Sequence, residues 1–295
     1  MLHMARSSCL ESPSFRPLKG ITDHYFQPLC ILRRRAVPKE EVDLNSGQPD
    51  RTELERYARH IVLRQIGGAG QQRLKKARVL MVGAGGLGSP VLQYLAAAGA
   101  GTIGVIDNDK VSVSNLQRQV LFKDDQIGMP KVFAAEAGLK AQNPFVIVRP
   151  YNRQVTGDIA VELFRDYDLI LDGTDNFTTR SLINRAAVMA RRPLIFGAIS
   201  QWEGQVSLFD PAAGTPCYAC VFPTPPGNGP GCADAGVMGA LPGIIGSMMA
   251  AEAIKRITGA GHPLAGRMLI FDALYGESRI VEIERCPDCT VCGGN

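Results

Sequence analysis

The stretch RVLMVGAGGLG, residues 78–88, decides the fold, because it joins an apolar run directly to a glycine-rich turn. The run Val79–Val82 is typical of a buried strand in a parallel sheet. A helical segment follows as far as Gly99, and a second apolar run, Ile103–Ile106, ends at Asp107. In such a β-α-β unit, glycines let backbone N–H groups approach a phosphate at a helix N-terminus, and an acid roughly 20 residues further on accepts from a ribose hydroxyl. The stretch predicts a bound nucleotide, with a ligand-free steric turn as the alternative, and leaves open whether the nucleotide is ATP or NAD.

Further strands continue this pattern toward the C-terminus. Apolar or alternating runs predict strands at residues 145–148, 168–171, 194–199, 205–209, 268–272 and 278–284. The run 168–171 leads into DGTDN at 172–176, and carboxylates at the tip of a parallel strand lie where open α/β sheets bind ligands. The alternation at 205–209 is typical of an antiparallel strand. We therefore predict an α/β protein with a Rossmann-like nucleotide-binding fold and a mainly parallel sheet, extended by antiparallel strands.

Three helical segments outside this core are also predicted. A helix beginning near Thr52 carries one apolar face, formed by Leu54, Ala58, Ile61 and Val62. Glycines at 67–70 should end this helical region, and a short helix should follow at 71–77. The apolar run 237–251 is too short and too rich in glycine to span a membrane, so the helix predicted from 237 to about 258 belongs to the core or to a subunit interface.

Composition and charge narrow the class of protein. The chain is 45% hydrophobic and 20% charged with a net charge of +4, which favours a protein that binds neither nucleic acid nor membranes. Residues 1–50 show no sustained periodicity and predict a disordered or poorly ordered extension, although a targeting peptide or an upstream start remains open. Residues 51–295 form the predicted domain, with a mobile crossover loop at 210–236 and a metal-binding tail at 286–295.

The cysteines are spaced for a metal rather than for disulfides. Cys217 and Cys220 form one C-x-x-C pair, and Cys286, Cys289 and Cys292 give two overlapping pairs near the end of the chain. Since no secretory apolar region accompanies these pairs, they indicate a reducing, cytoplasmic compartment. Spacing alone leaves open which of the two C-terminal pairs binds the metal.

Nine stretches, in unbroken order from Thr52 to the end, resemble the MoeB/ThiF family of relatives of the ubiquitin-activating enzymes. They are RYARHIVL (56–63), GAGGLGSP (83–90), VSVSNLQRQ (111–119), GMPK (128–131), DGTDN (172–176), EGQVSLF (203–209), CYAC (217–220), CADAGV (232–237) and CTVC (289–292). The resemblance implies an ATP-dependent adenylyltransferase. Such an enzyme activates the C-terminal glycine carboxylate of a small ubiquitin-like sulfur-carrier protein as an acyl-adenylate and releases pyrophosphate.

The motifs are most like the branch that serves the molybdopterin-synthase small subunit in molybdenum cofactor biosynthesis. The same reaction on a thiazole-pathway or cysteine-biosynthesis carrier is an alternative. An NAD-dependent oxidoreductase and a non-catalytic binding module are more distant alternatives, and ATP is favoured over NAD because the segment 114–118 with Lys131 suits a polyphosphate. The resemblance also implies a carrier ending in Gly-Gly, a homodimer, and a sulfur donor of the cysteine desulfurase or rhodanese type.

The site residues follow from the resemblance, position by position. Those expected at the nucleotide are Gly83, Gly85, Gly86, Gly88, Asp107, Ser114, Asn115, Leu116, Gln117, Arg118, Lys131, Asp175 and Asn176. Those expected to act in the reaction are Arg59, Arg118, Lys131, Asp175 and, as a reactive loop cysteine, Cys232. Asp175 would hold Mg²⁺, and Arg59 would reach the nucleotide of the partner subunit. A structural zinc would be held by Cys217, Cys220, Cys289 and Cys292, so that Cys286 is a spare thiol and the tail a zinc-stapled segment.

These residue types suit the implied chemistry. A carboxylate that attacks the α-phosphorus of ATP needs no base, because it is already ionised. The barrier is largely repulsion between that anion and the triphosphate, together with the charge that builds on pyrophosphate. Positive side chains and a metal ion at the phosphates lower both contributions.

Overall fold

The computed structural model describes residues 51–223 and 236–293. The predicted extension at 1–50 and the 224–235 part of the predicted loop, with Cys232, lie outside the described residues. The helices are α1 (Arg51–Ile61), α2 (Gly67–Lys76), α3 (Gly88–Ala98), α4 (Lys131–Gln142), α5 (Gly157–Arg165), α6 (Phe177–Ala190), α7 (Tyr218–Val221) and α8 (Leu241–Thr258). The strands are β1 (Arg78–Val82), β2 (Thr102–Ile106), β3 (Ile147–Tyr151), β4 (Leu169–Asp172), β5 (Leu194–Ser200), β6 (Glu203–Phe209), β7 (Arg267–Asp272) and β8 (Glu277–Glu282). Short 3₁₀ turns lie at Val113–Asn115, Asp124–Gln126 and Pro211–Ala213.

The eight strands form one sheet in the order β3-β2-β1-β4-β5-β6-β7-β8. The first five are parallel, whereas β6, β7 and β8 each pair antiparallel with the preceding strand. The order reverses between β1 and β4, and in an open α/β sheet such a reversal leaves a crevice at the carboxyl ends of the strands. The predicted Rossmann-like sheet with an antiparallel extension is therefore confirmed.

Helices cover both faces of the sheet. One apolar cluster packs α3, α4 and α8 against the sheet, and α8 contributes Leu241, Ile245, Met249 and Ala253, all at most 1% exposed. A second cluster packs α5 and α6 against the opposite face. The expectation of a core helix near 237–258 is confirmed, with its start at Leu241. In the described part of the chain, every helix is too short or too polar to cross a bilayer.

The predicted apolar face of α1 is not the face that α1 buries. Leu54 and Val62 are 44% and 76% exposed, whereas Glu53 and Tyr57 are buried. Two distant partners explain the orientation: Lys75 Nζ lies 2.6 Å from Glu53 Oε2, and Asn143 Nδ2 donates to the Tyr57 hydroxyl at 2.8 Å. Tertiary contacts thus determine which side of α1 faces the core.

Several element boundaries also differ from the predictions, most clearly those of α2 and β3. Helix α2 begins at Gly67 rather than after Gly70, so Gly70 lies inside the helix. A Cβ on Gly70 would approach Ile66 Cγ2 to 2.9 Å, and glycine permits this close packing. Strand β3 begins at Ile147 rather than 145, because Asn143 holds a turn by accepting from the Phe145 amide through its side chain at 3.2 Å. Pro150 lies within β3, which its position at the sheet edge permits.

Candidate functional site

A cleft of about 440 Å³ opens at the carboxyl ends of the parallel strands. Its walls come from the turn after β1, the segments after β2 and β3, the loop after β4, and Ile199 and Val237 on the far side. Because parallel strands end together at this edge, segments far apart in sequence converge here. The cleft thus lies at the strand tips, where DGTDN was expected to face a ligand, and the glycine turn forms part of the same cleft.

The glycine turn brings the backbone close to the cleft. Gly83 has a φ of +90°, which L side chains rarely adopt, and Gly83, Gly85 and Gly86 all line the cleft. Gly88 has a different position, because it is buried at the start of α3 and a Cβ there would lie 2.1 Å from the Gly83 carbonyl oxygen. Gly88 therefore allows the turn to close, while the other three glycines face the cleft.

Asp107, at the end of β2, organises the turn through its carboxylate. Its Oδ2 accepts from the Ala84 amide at 2.8 Å, and its Oδ1 accepts from the Asp109 amide at 2.8 Å. A carboxylate offers about four acceptor positions, so Asp107 retains the capacity to accept a ribose hydroxyl. The Ala84 and Asp109 amides therefore hold the carboxylate of Asp107, the residue expected to bind the ribose, in a fixed position.

Lys131, at the start of α4, is held by Asp109. Lys131 Nζ lies 2.8 Å from Asp109 Oδ2, and the Lys131 amide donates to the Asp109 carbonyl at 2.9 Å. The lysine side chain is only 6% exposed, whereas that of Asp109 is 63% exposed. Asp109 therefore fixes Lys131 at both its backbone and its ammonium group, and it lines the cleft itself.

The loop after β4 presents Asp175 to the cleft and is supported from below. Asp172 is 1% exposed, and its Oδ1 accepts from the Thr174 amide and hydroxyl at 2.9 and 2.7 Å. Burial raises the pKa of the Asp172 carboxyl, against the opposing effects of the Arg180 guanidinium and the Thr174 hydrogen bonds. Arg180 donates from Nε and Nη2 to the Thr174 carbonyl, and Asn176 caps α6 by accepting from the Thr179 amide at 2.9 Å.

Most residues that the sequence assigned to a nucleotide converge here. The cleft is lined by Gly83, Gly85, Gly86, Asp107, Gln117, Arg118, Lys131, Asp175 and Asn176. Outside this lining lie Gly88, Ser114, Asn115, Leu116 and Arg59. Gly88 is a packing glycine. Ser114, Asn115 and Leu116 lie in or next to the 3₁₀ turn at 113–115, where the Ser114 carbonyl accepts a hydrogen bond from Arg118 Nη1 at 2.9 Å. Arg59 is exposed on α1.

Other lining residues were missed by the sequence reasoning: Asp109, Gln119, Arg153, Gln154 and Arg180. A second acid two residues beyond Asp107 was a signal that could have identified Asp109. Gln119 ends the motif VSVSNLQRQ, which could have identified it. Arg153 and Gln154 follow β3, and Arg180 lies on α6, without a local pattern of their own, so only the fold brings these three to the cleft.

The residues present fit a polyphosphate nucleotide. Gln119 is 4% exposed and lines the cleft, and its Oε1 is buried without a hydrogen-bond partner among the described residues. A buried polar atom without a partner in a cleft indicates a place for a ligand group or water. The glycine turn with Arg118, Lys131 and Arg153 supplies positive charge for phosphates, and Asp175 supplies an oxygen ligand that suits Mg²⁺.

A second site lies where the chain after β6 meets the C-terminal segment. The Sγ atoms of Cys217, Cys220, Cys289 and Cys292, the four-cysteine cluster, all lie within 4.8 Å of one another. The Sγ–Sγ separations are 3.7 Å for Cys217–Cys289, 4.0 Å for Cys217–Cys220 and 3.5 Å for Cys220–Cys292. A tetrahedral zinc with Zn–S bonds of about 2.3 Å holds its sulfurs about 3.8 Å apart, so the donor set fits zinc. Cys286 is exposed and lies outside the cluster.

Electrostatics within the cluster distinguish its members. Burial raises the pKa of the Cys217 thiol, and a hydrogen bond from Asn184 opposes that shift. Burial also acts to raise the pKa of Cys289, but hydrogen bonds from the Cys292 and Val291 backbone and from neighbouring thiols lower it to about 7. Such mixed shifts are expected where several thiols share one small volume, and thiolates are the form that binds metal.

Together, these features define a class: α/β nucleotide-binding proteins with a glycine turn, a basic cleft and a separate four-cysteine site. The ThiF family model matches residues 57–291. A Thermus thermophilus protein described as sulfur carrier protein adenylyltransferase is 51% identical over 247 residues, covering 82% of this chain and 91% of its own length. The chain belongs to the ThiF family, and it is an enzyme of the adenylyltransferase class.

Other relatives support the same placement. A Haloferax volcanii protein described as SAMP-activating enzyme E1 is 44% identical, covering 83% of this chain and 90% of its own length. The probable adenylyltransferase/sulfurtransferase MoeZ of Mycobacterium tuberculosis is 48% identical over 80% of this chain, which spans 62% of that relative. Among solved structures, E. coli MccB with ATP superposes with a TM-score of 0.68 at 26% identity, covering 77% of this chain and 70% of that one.

Proposed function

We propose that this enzyme adenylates the C-terminal glycine carboxylate of a small ubiquitin-like sulfur-carrier protein. The observation that carries the proposal is the cleft, in which a glycine turn, Asp107, Arg118, Lys131 and Asp175 surround one volume. The relatives described as acting on sulfur carriers add support for the substrate class.

The reaction requires positioning rather than a strong base. The carrier carboxylate oxygen forms a bond to the α-phosphorus of ATP, the bond from that phosphorus to the bridging oxygen breaks, and pyrophosphate leaves with the electron pair. Arg118 and Lys131 offset the charge on the phosphates, and Asp109 keeps the Lys131 ammonium in place. Asp107 is placed to accept from the ribose, and the glycine turn to donate backbone N–H groups to phosphate.

Magnesium would be held by Asp175, where it would neutralise charge on the triphosphate. The loop that presents Asp175 is braced by Asp172 and Arg180, which both bind Thr174. These hydrogen bonds hold the backbone next to Asp175 through protein groups alone. Loading of the site should accordingly require little rearrangement of residues 172–176.

The carrier we favour is the molybdopterin-synthase small subunit, in molybdenum cofactor biosynthesis. The thiazole and cysteine-biosynthesis carriers remain the alternatives, since all would present the same carboxylate to the cleft. A sulfur donor of the cysteine desulfurase or rhodanese type would act after adenylation. Cys232, outside the described residues, stays a candidate for that later step only.

Exchange of labelled pyrophosphate into ATP tests the proposal. We expect exchange to require Mg²⁺ and a carrier ending in Gly-Gly, and to vanish when the terminal glycine is removed. Candidate carriers should be compared at equal concentration, so that the ratio of kcat/KM values identifies the preferred one. Exchange without any carrier, or none with every diglycine-ended carrier, would contradict the proposal, as would carrier-independent turnover of NAD.

We also propose that the enzyme is a homodimer in which Arg59 serves the site of the partner subunit. Arg59 is exposed on α1 and lies outside the cleft of its own chain. The same helix exposes apolar Leu54, and Val62 is exposed directly after its end; both would be buried if α1 lay at a subunit interface. This proposal gives the exposed apolar face of α1 a function.

Mixed dimers distinguish the two arrangements. A chain with Arg59→Ala and a chain with Asp175→Ala would together form one intact site per mixed dimer. Random reassociation should then recover about a quarter of wild-type activity. If Arg59 acts within its own chain, both sites of every dimer carry a defect and mixing recovers nothing.

A structural zinc at the four-cysteine cluster is the remaining part of the proposal. Cys217, Cys220, Cys289 and Cys292 would hold it, closing the C-terminal segment onto the start of α7. Four thiolates give a closed site without an open coordination position, so the metal would stabilise the fold and take no part in adenylation.

A further inference from the structure

Asn184, on helix α6, is a buried amide that contacts the four-cysteine cluster. Its side chain is 2% exposed, and its Nδ2 donates to Cys217 Sγ at 3.6 Å. Its Oδ1 accepts from the Tyr218 amide at 3.0 Å. The two polar atoms of the Asn184 side chain thus bind two consecutive residues: Nδ2 contacts the sulfur of Cys217, and Oδ1 contacts the backbone amide of Tyr218.

Cys217 has particular need of such a donor. It is 0% exposed, so its sulfur has no access to water. A buried thiolate is costly unless hydrogen bonds or a metal offset its charge. An N–H group directed at the sulfur stabilises the thiolate and fixes its orientation, which is the usual contribution of groups just outside the ligand shell of a metal site.

The helix that carries Asn184 is firmly placed. One turn earlier on α6, Arg180 donates a hydrogen bond to the Thr174 carbonyl. Its guanidinium carbon Cζ lies 5.3 Å from the centroid of the Phe196 ring. The Phe196 ring in turn lies 5.2 Å from that of Tyr218. Asn184 is therefore held on a rigid element, which allows a weak N–H···S contact to have a defined direction.

We propose that Asn184 is a positioning residue for the metal of the four-cysteine cluster, orienting the Cys217 thiolate through N–H···S donation and docking the Cys217–Tyr218 segment on α6. The inference rests on the proposed zinc site and not on the reaction in the cleft. Asn184 lies outside the residues that line the cleft.

Two variants separate the two hydrogen bonds. Asn184→Ala removes both, whereas Asn184→Asp keeps an oxygen for the Tyr218 amide but loses the donor and places negative charge beside the sulfur. The matched control is Asn143→Ala, because Asn143 is also fully buried and donates from Nδ2 to the Tyr57 hydroxyl and the Ala96 carbonyl, away from the cluster. All variants should be checked for folding by circular dichroism before metal measurements.

The measurement is the rate at which full-length protein transfers zinc to a chromogenic chelator, with zinc content as the starting value. We expect both Asn184 variants to lose zinc about 10–100-fold more readily than wild type. Asn143→Ala should melt at a lower temperature yet release zinc at the wild-type rate. In cobalt-substituted protein, the sulfur-to-cobalt charge-transfer band should shift in both Asn184 variants and not in the control.

The possible failures are distinguishable. Wild-type zinc release and an unchanged cobalt band in Asn184→Asp would overturn the role of N–H···S donation. Equal acceleration in Asn143→Ala would show general destabilisation and overturn the proposal as well. Wild-type protein that binds no zinc would overturn the metal site on which the inference rests, while leaving the adenylation proposal to its own exchange assay.

Discussion

The nucleotide cleft and the four-cysteine cluster differ in their access to solvent and in how their parts are distributed along the chain. The cleft is open, and Asp175 and Asp109 are exposed at its surface. The cluster is closed: Cys217 and Cys292 are at most 1% exposed, and Cys217 lies 72 residues from Cys289 in sequence. An open basic cleft suits ligands that exchange in each turnover, whereas a closed sulfur site suits a metal that stays bound.

If this contrast is correct, the largest effect on activity comes from the cleft. Asp175→Ala should lower kcat/KM for adenylation by about 10²–10³, since it removes the proposed magnesium ligand. Zinc content and melting temperature should stay close to wild type because Asp175 is exposed. A variant that loses zinc as well as activity would show that the two sites are not separate.

The largest effect on stability should come from the cluster. Cys289→Ser should abolish zinc binding and lower the melting temperature by roughly 5–10 °C, because the C-terminal segment is no longer fixed. Cys286→Ser is the matched control, since that exposed thiol lies outside the cluster. Loss of zinc in Cys286→Ser would instead assign the metal to the other C-x-x-C pair.

A smaller effect on kcat/KM tests how Lys131 is positioned. Asp109→Asn should reduce kcat/KM for ATP by about tenfold, because a nearly buried ammonium loses its charged partner. Glu136→Gln removes the partner of the exposed Lys140 and should change little. A lower KM for ATP in Asp109→Asn would mean that Asp109 competes with phosphate rather than positioning the lysine.

The smallest expected effect is on the pH dependence of the melting temperature. It concerns Asp172, which supports the loop that carries Asp175. Because burial raises the pKa of Asp172 in the folded state, its contribution to stability is present at low pH and is lost as the pH rises through that raised value. Asp172→Asn keeps an acceptor for Thr174 without the charge, so its melting temperature relative to wild type should rise between pH 4 and pH 8. Asp158→Asn, at an exposed position on α5, should leave the pH dependence unchanged. A flat difference for Asp172→Asn would contradict a destabilising buried charge.

The two sites also differ in how much of each could be predicted from sequence. Gly83, Asp107 and residues 172–176 were predictable because each lies at or directly after the end of a strand, and parallel strands end together. The Asp109–Lys131 and Asn184–Cys217 contacts were not, because the partners are 22 and 33 residues apart and meet only through packing. The same reason explains α1, whose buried face is determined by Lys75 and Asn143 rather than by its own apolar residues.

Intact-mass spectrometry of a diglycine-ended carrier tests the central claim most directly. After incubation with the enzyme and magnesium-ATP, we predict that the carrier gains one adenylyl group at its terminal glycine, and that Asp175→Ala largely prevents this gain. A carrier that stays unmodified while wild-type enzyme binds ATP, for every diglycine-ended candidate, would contradict the account.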